Sequence, residues 1–266
     1  MKFKKLYGIL LLLPILVSIF TSCITAKNTS CSWFIKRNGT SQPILAKEQE
    51  IIYKYNAYYI DNSLSDNSEN KVLYLTYDAG YENGNIEKTL DILKKENVPA
   101  AFFILDNILL KNCNLVTRMI EEGHLVCNHT KKHKNLSNAT PDEIKDDLSA
   151  LETLYFEKTG EKMKKYFRFP EGKYSEKSLK TISDLGYKTF FWSFAYDDWN
   201  NNKQMSEEKA FEKIISNTHN GAIFLFHPTS DTNVKILERL IKEWKCQGYE
   251  FGTLDELVAN KKADAI

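Results

Sequence analysis

The order of apolar and polar positions in the C-terminal part of the chain alternates between strand and helix patterns. Residues 72–77 form a compact apolar run rich in β-favouring side chains, which predicts a buried strand. Ile86, Leu90 and Leu93 then recur at helical spacing, and residues 100–105 form the next apolar run. This alternation indicates strand–helix units in which helices cover parallel strands.

The same pattern continues to the last predicted helix. Thr140, followed by Pro141 and Glu143, predicts a helix start, because threonine caps the first turn and proline fits its first position. The other predicted elements are a helix closed by Gly123, a strand at 125–126, a helix from Ser175 to Gly186, a strand at 187–193, a helix at 207–217, a strand at 222–226 and a helix closed by Gly248. The fold class is therefore α/β, either a barrel or a doubly wound sheet.

Length and charge narrow the class of protein. A chain of 266 residues fits one domain of the α/β barrel size. Its 36 basic and 35 acidic residues leave a formal charge of +1. Such a balance offers no basic surplus to hold a polyphosphate backbone, so nucleic acid is not an expected partner.

The N-terminal segment, residues 1–22, has the pattern of an export signal. Basic Lys2, Lys4 and Lys5 precede an apolar run at 6–20, which is shorter than the roughly 20 residues that span a bilayer. Cys23 follows in the context of a lipoprotein cleavage site and is a candidate lipid anchor. An uncleaved membrane anchor or a secreted form are the alternatives, and each makes the protein extracytoplasmic.

Two further segments follow the export signal. Residues 23–70 are polar and irregular and end in a turn-rich stretch, which predicts an N-terminal extension and linker. Residues 71–260 carry the strand–helix pattern and form the predicted catalytic domain. Four cysteines besides Cys23 allow three pairings, and we expect small buried or unpaired side chains, with a disulfide as the alternative.

Ionisable side chains cluster directly after predicted strands. Because loops after parallel strands converge on one face, these residues predict one polar site: Asp78, His129, His133, Arg168, Asp197, Asp198 and His227. Chance placement on surface loops is the competing interpretation of each residue alone. The remaining histidines, His124 and His219, lie near predicted helix ends and are interpreted as structural or exposed.

His129 and His133 form the sharpest pair. On one helical turn, a spacing of four places both imidazoles on one side, which is a common way to hold zinc. An isolated pair of this kind is more often two surface residues. The pair lacks the glutamate of the HExxH metalloprotease motif, which makes a metalloprotease a distant alternative.

Five segments in this order resemble the motifs of the polysaccharide deacetylase (NodB-homology, carbohydrate esterase 4) family: residues 76–80, 129–133, 168–172, 198–199 and 225–227. The resemblance runs from about residue 71 to 257. It is closer to the δ-lactam-forming muramic acid de-N-acetylases of spore cortex peptidoglycan, through residues 78–84, 98–103 and 192–199 and the upstream residues 32–33 and 53–59. It implies an irregular (β/α) barrel with its site at the carboxyl ends of the strands.

The resemblance also implies roles. His129 and His133 would bind a divalent metal, zinc in the first place and cobalt or manganese as alternatives. Asp78 would be the general base. Arg168 would orient Asp78, with Asp198 tethering Arg168 in turn.

His227 would be the general acid that protonates the departing amine. Trp199 would wall the substrate pocket and pack on His227. Pro170 and Glu171 belong to the implied substrate-binding loop, whose backbone N–H groups, together with the metal, would stabilise the oxyanion.

Two positions depart from the family pattern. Ala79 stands where most members have a second aspartate that binds the metal, so the metal would keep two histidines plus water or Asp78, and bind more weakly. The muramic subgroup also departs here, typically with asparagine, so the loss does not exclude activity. Lys134 replaces a proline found in many members, which we interpret as a minor change.

The leading hypothesis is an exported hydrolase that removes the acetyl group from N-acetylmuramic acid in peptidoglycan and leads to muramic δ-lactam. Within the same chemistry, the alternative is deacetylation of N-acetylglucosamine in peptidoglycan or another exported glycan. A different class is a glycan-binding pseudoenzyme that lost its metal with Ala79. The expected partners are the glycan and, through the N-terminal segment, the membrane.

Overall fold

The structure, a computed structural model, describes residues 29–263. The predicted export segment and Cys23 lie outside the described residues. Within the described range, no helix combines the length and the apolar character needed to cross a membrane.

Within residues 29–263, ten strands and eight α-helices follow one another. The strands are β1 (Cys31–Ser32), β2 (Ala57–Tyr58), β3 (Lys71–Ala79), β4 (Ala100–Ile104), β5 (Leu125–Asn128), β6 (Tyr166–Phe167), β7 (Lys173–Tyr174), β8 (Lys188–Phe190), β9 (Ile223–Phe226) and β10 (Tyr249–Phe251). The helices are α1 (Asn85–Glu96), α2 (Asp106–Lys111), α3 (Cys113–Glu121), α4 (Pro141–Thr159), α5 (Glu176–Asp184), α6 (Glu207–Ile215), α7 (Asp231–Cys246) and α8 (Leu254–Ala263). Two 3₁₀ segments, Lys47–Tyr55 and Pro170–Gly172, complete the chain described.

Strand β3 is the centre of the main sheet. The hydrogen-bonded order is β10-β3-β4-β5-β6-β8-β2, and β9 also pairs with β3. All of these pairings are parallel. The first residues of β3 pair with β10 and its later residues pair with β9. On this side, the long strand β3 therefore contacts two strands from the C-terminal part of the chain.

Single bridges close the curved sheet on its remaining side. Phe194, after β8, bridges Phe224 of β9, and Ile60, after β2, bridges Ala222. The result is an irregular (β/α) barrel surrounded by helices. It confirms the barrel prediction and eliminates the doubly wound alternative.

The pattern of β3 explains its place in the core. Leu73, Leu75 and Tyr77 are buried in the cluster that also contains the helices α1 and α7. Tyr74 and Thr76 point to the opposite face and are buried as well. A strand covered on both faces requires the continuous apolar run that the sequence shows.

The predicted cap of α4 is present. Thr140 Oγ1 accepts a hydrogen bond from the Glu143 amide at 3.2 Å, and the Glu143 carboxylate accepts one from the Thr140 amide at 2.8 Å. Pro141 occupies the first turn, and Gly160 ends the helix with a φ of 76°.

Part of the segment that precedes residue 71 is folded onto the barrel. Strand β2 extends the sheet beside β8, and Ile52 is completely buried. Trp33 stacks on Phe191 with ring centroids 4.3 Å apart and an interplanar angle of 17°. Described residues before β3 therefore share the core of the barrel.

The four cysteines in the described range are free thiols: Cys31, Cys113, Cys127 and Cys246. Of the histidines outside the predicted site, His219 is buried and its Nε2 lies 2.8 Å from Ser193 Oγ. His124 is also buried, and its Nδ1 accepts a hydrogen bond from the Ala100 amide at 3.2 Å. Both histidines therefore serve the packing of the barrel.

Burial of His124 predicts a loss of stability in acid. Burial lowers the pKa of the folded-state imidazole to about 4, whereas the unfolded chain has an ordinary pKa near 6.5. The unfolded state therefore binds more protons in this window, so the free energy of unfolding falls as the pH drops from about 6.5 to 4, by about 3 kcal/mol for this residue.

Urea unfolding at pH 7 and pH 4 measures this effect. His124→Asn keeps an acceptor for the Ala100 amide but does not titrate, so its stability should fall less between the two values. An equal fall in both proteins would show that His124 does not contribute.

Candidate active site

The predicted site residues meet in one cleft of about 920 Å³. Its lining includes Asp78, His129, His133, Glu171, Trp199 and His227. Asp78 is the penultimate residue of β3, and His227 directly follows β9, so neighbouring parallel strands place both groups at the same edge of the sheet. Arg168 and Asp198 are buried, and each bonds to one of these two residues.

A buried guanidinium holds the carboxylate of Asp78. Arg168 Nη1 donates to Asp78 Oδ1 at 2.9 Å, and Nη2 donates to Thr76 Oγ1 at 2.8 Å. The Phe190 and Phe191 carbonyl oxygens accept from Nε and Nη2, and the guanidinium lies 4.2 Å from the centre of the Phe103 ring. Arg168 is therefore fixed from several sides, and it fixes Asp78.

The surroundings keep Asp78 ionised. Burial by itself would raise the pKa of the carboxyl, but electrostatic interactions with His129, Arg168 and His227, together with the hydrogen bond from Arg168, oppose it and the net shift is downward. Burial also lowers the pKa of His129 to about 4, so His129 is neutral at neutral pH. Arg168 is consequently the cation in direct contact with Asp78 at neutral pH.

Asp198 bonds to His227, which corrects the expectation that it tethers Arg168. His227 Nδ1 donates to Asp198 Oδ1 at 2.7 Å, and the His227 amide donates to Oδ2 at 2.8 Å. Asn233 Nδ2 donates to the same Oδ2 at 2.6 Å. In the structure, which describes both side chains, Asp198 and Arg168 share no hydrogen bond, because β9 places the Asp198 loop beside His227.

This contact favours the protonated form of His227. Burial alone would lower the imidazole pKa, but the charge and hydrogen bond of Asp198 outweigh it, and the net shift is upward. The Nδ1–H is committed to Asp198, so Nε2 is the ring nitrogen available to the cleft. The site thus holds an ionised carboxylate and a proton-bearing imidazole.

His129 has the tautomer of a metal ligand. Its Nδ1 donates to the Arg168 carbonyl at 2.9 Å, which leaves Nε2 with a free lone pair. This Nε2 is buried, has no hydrogen-bond partner in the described part of the chain, and lies 3.4 Å from Asp78 Oδ2.

His133 stands beside His129, but not on a helix. Residues 129–134 form a loop after β5, so the expected helical turn is wrong. The φ angles of Thr130 and His133 are 67° and 57°, and the Asn128 side chain accepts from the Thr130 amide at 2.9 Å. The loop still brings the two imidazoles together, with ring centroids 5.1 Å apart.

The cleft offers fewer side-chain metal ligands than a site built from three residues. Ala79 is completely buried and has no donor atom. Among the described side chains, no group of three or more His, Cys, Asp or Glu is arranged to hold a metal ion. The unpartnered Nε2 of His129 and the adjacent His133 nevertheless fit a metal held by two imidazoles, with water completing its shell.

The loop after β6 forms a tight wall of the cleft. Glu171 has a φ of 56° and faces the cleft, whereas Pro170 beside it is buried. Gly172 has a φ of 63°, and a Cβ there would lie 2.8 Å from the Trp33 Cβ. Only glycine fits this contact between the loop and the N-terminal segment.

Two exposed aromatic side chains flank the cleft. Trp199 is 62% exposed and Tyr81 is 66% exposed, and both line it. Among the described residues, no ring contact joins Trp199 to His227, so the expected packing of Trp199 on His227 is not observed. Exposed aromatic faces of this kind can stack on sugar rings.

Sequence reasoning missed three residues of the site. Arg37 lines the cleft from the N-terminal segment, Tyr81 lines it beside β3, and Asn233 positions Asp198 from α7. Neither Arg37 nor Asn233 lies in a predicted motif. Tyr81 lies in a segment that carried the family resemblance, and its position after a strand end could have identified it.

The chain belongs to the polysaccharide deacetylase family. The family model described as "Polysaccharide deacetylase" matches residues 65–190. A peptidoglycan-N-acetylmuramic acid deacetylase, PdaA of Bacillus subtilis, is 38% identical over 237 residues, which cover 88% of each chain.

Solved structures agree with this assignment. The structure of Bacillus subtilis PdaA, a family 4 carbohydrate esterase, superposes with a TM-score of 0.83 at 37% identity and covers 88% of this chain and 99% of its own. A family 4 carbohydrate esterase from Bacillus anthracis superposes with a TM-score of 0.73 at 30% identity and covers 89% of this chain and 100% of its own.

The Asp198–His227 contact predicts a change in the pH profile. Asp198→Asn removes the charge that raises the His227 pKa, so His227 should lose its proton at lower pH. The alkaline limb of acetate release should therefore move to lower pH, with kcat at neutral pH reduced at least about tenfold.

Asp197→Asn is the matched control, because it removes a neighbouring carboxylate that shares no hydrogen bond with His227 in the described structure. Its alkaline limb should stay in place. If the alkaline limb of the pH profile is the same in Asp198→Asn as in the wild type, Asp198 does not set the protonation of His227.

Proposed function

We propose that this protein hydrolyses the acetamide of N-acetylmuramic acid in peptidoglycan, releasing acetate and an amine that can cyclise to the δ-lactam. The main support is the juxtaposition in one cleft of an Arg168-bound carboxylate and an Asp198-bound imidazole. The muramic substrate is supported by the similarity to PdaA over 88% of both chains. Peptidoglycan lies outside the cytoplasmic membrane, so the proposed location is extracytoplasmic.

The Asp78–Arg168 pair and the His227–Asp198 pair carry out different proton transfers. Asp78 Oδ1 is held by Arg168, so Oδ2 is the oxygen that accepts a proton from the attacking water. The water oxygen bonds to the acetamide carbon, and the C–N bond breaks as His227 Nε2 gives its proton to the nitrogen. Acetate and a free amine leave.

The low pKa of Asp78 has a consequence for this scheme. A carboxylate with a depressed pKa is ionised at neutral pH but is a weaker base, so a second group that lowers the pKa of the water would assist the attack. The residues that fit a divalent metal are His129 and His133, with zinc as the first candidate and cobalt or manganese as alternatives. When bound, the metal would lower the pKa of water and polarise the acetamide carbonyl.

The remaining lining would place the sugar. Backbone N–H groups after Pro170, in the turn where Glu171 has a positive φ, would face the developing oxyanion. Trp199 and Tyr81 offer exposed aromatic faces for the sugar rings.

Loss of the base should abolish turnover. Asp78→Asn keeps the size of the side chain but cannot take a proton, so acetate release should fall by roughly 10²–10⁴-fold. Mass spectrometry of muramidase-digested peptidoglycan, with side peptides partly removed, measures which sugar loses its acetyl group. Loss from muramic acid with the wild type alone supports the proposal.

Other outcomes of the same experiment contradict it in different ways. Loss of acetyl from glucosamine residues alone would assign the alternative substrate. Sugar binding without acetate release, in folded protein supplied with zinc or cobalt, would assign the pseudoenzyme function.

The two-imidazole metal site predicts weak, His133-dependent zinc binding. Because Ala79 provides no third ligand, His133→Ala should weaken zinc binding at least about tenfold. Isothermal titration with zinc measures this independently of turnover. Unchanged zinc affinity would exclude His133 as a ligand.

A further inference from the structure

Arg37 reaches the catalytic cleft from outside the part of the chain that matches the family model. The match covers residues 65–190, and Arg37 belongs to the segment before β2. Its side chain nevertheless lines the same cleft as Asp78 and His227. The N-terminal segment therefore adds a charged group to the site.

The segment is anchored before it reaches the cleft. The Trp33 amide donates to the Gly172 carbonyl at 2.8 Å, and Trp33 Nε1 donates to the Trp192 carbonyl at 3.0 Å. The Trp33 ring also stacks on Phe191. These contacts fix the start of the segment on the two loops that form the cleft wall.

Arg37 is itself held by contacts that leave its charge available. Nη2 donates to the Ala195 carbonyl at 2.6 Å, and the guanidinium lies 5.3 Å from the centre of the Phe194 ring. Within the described residues, no carboxylate lies within ion-pair distance of Arg37. Most of its five N–H donors remain free to bind an anion.

Two carboxylates that line the cleft, unlike the guanidinium of Arg37, already have ion-pair partners. Asp78 is paired with Arg168, and Glu171 is paired with Lys173. Asp197 also lines the cleft. Besides Arg37, Lys213 is the other lysine or arginine side chain in the cleft lining. Arg37 is better suited than Lys213 to bind a carboxylate, because a fixed guanidinium binds both oxygens in one plane.

We propose that Arg37 binds the lactyl carboxylate of N-acetylmuramic acid and makes this sugar preferred over N-acetylglucosamine. The inference rests on the proposed function. The two sugars differ by a lactyl ether on C3, next to the carbon that carries the acetamide. Arg37 lines the same cleft as Asp78 and His227, so a substrate whose acetamide lies at these two residues would present its C3 substituent to the lining that includes Arg37. The carboxylate of this substituent is free once the stem peptide is removed.

The lactyl group is a better match than a carboxylate of the stem peptide. The lactyl carboxyl is a few bonds from the reacting acetamide, whereas stem-peptide carboxylates are separated from it by amino acids. A stem peptide also converts the lactyl carboxylate to a neutral amide. The proposal therefore implies a preference for muramic residues without stem peptides.

The test compares binding and turnover of three glycan substrates: peptide-free glycan strands, the same strands with the lactyl carboxylate converted to a methyl ester, and strands with stem peptides. The variants are Arg37→Gln and Arg37→Lys. Lys36→Gln is the matched control, since Lys36 is the exposed neighbour in the same segment and does not line the cleft. Binding is measured in an Asp78→Asn background, so that it does not depend on turnover.

Arg37→Gln should weaken binding of the peptide-free strands roughly tenfold and raise KM with little change in kcat. Arg37→Lys should recover part of the loss, and Lys36→Gln should show none. The effect should vanish with the methyl ester and shrink at high salt, as expected for an ionic contact.

Equal losses with the free acid and the ester, or none with the free acid, would overturn the proposal. A loss confined to strands with stem peptides would assign Arg37 to a peptide carboxylate, and a loss in Lys213→Gln instead would assign the carboxylate to Lys213. Failure of the proposed function has a different signature. In that case the wild type releases no acetate from muramic acid, whereas the binding comparison still reports on Arg37.

Discussion

The buried guanidinium of Arg168 connects the barrel to its chemistry. Taking a charged side chain completely out of water is costly unless its donors are satisfied, and here a carboxylate, a hydroxyl and two carbonyl oxygens satisfy them. These acceptors come from β3 and from the end of β8. The charge can therefore be accommodated only when those strands are correctly placed.

The two acid–base groups depend on separate supports. Asp78 relies on Arg168, whereas His227 relies on Asp198 and, through it, on Asn233. The net shift of the Asp78 pKa is downward, with His129 and Arg168 as its main causes, whereas Asp198 raises the pKa of His227. Division into two networks keeps opposite protonation states side by side in one cleft.

Much of the barrel could be predicted from the sequence, because parallel strands and covering helices have clear apolar periodicities. The short strands β6 and β10 could not be predicted, because two or three residues carry no period and, unlike β8, they do not lie in a longer apolar run. In the site, strand ends indicated which residues converge. The positions of strand ends could not show that Asp198 bonds to His227, because this contact depends on which neighbouring strand the loop before α6 lies against. The loop at His129 and His133 escaped prediction because its positive φ angles depend on side-chain contacts.

The way the N-terminal segment contacts distant parts of the barrel affects how the protein folds. Gln42 donates to the Asn220 carbonyl, a partner 178 positions away, and β2 joins the sheet only beside β8. Such long-range pairings slow folding, because large loops must close before the contacts form. His227 and its support lie late in the chain. A growing chain therefore cannot assemble the His227 pair before Asn233 has been synthesised, because Asn233 holds the carboxylate that supports His227.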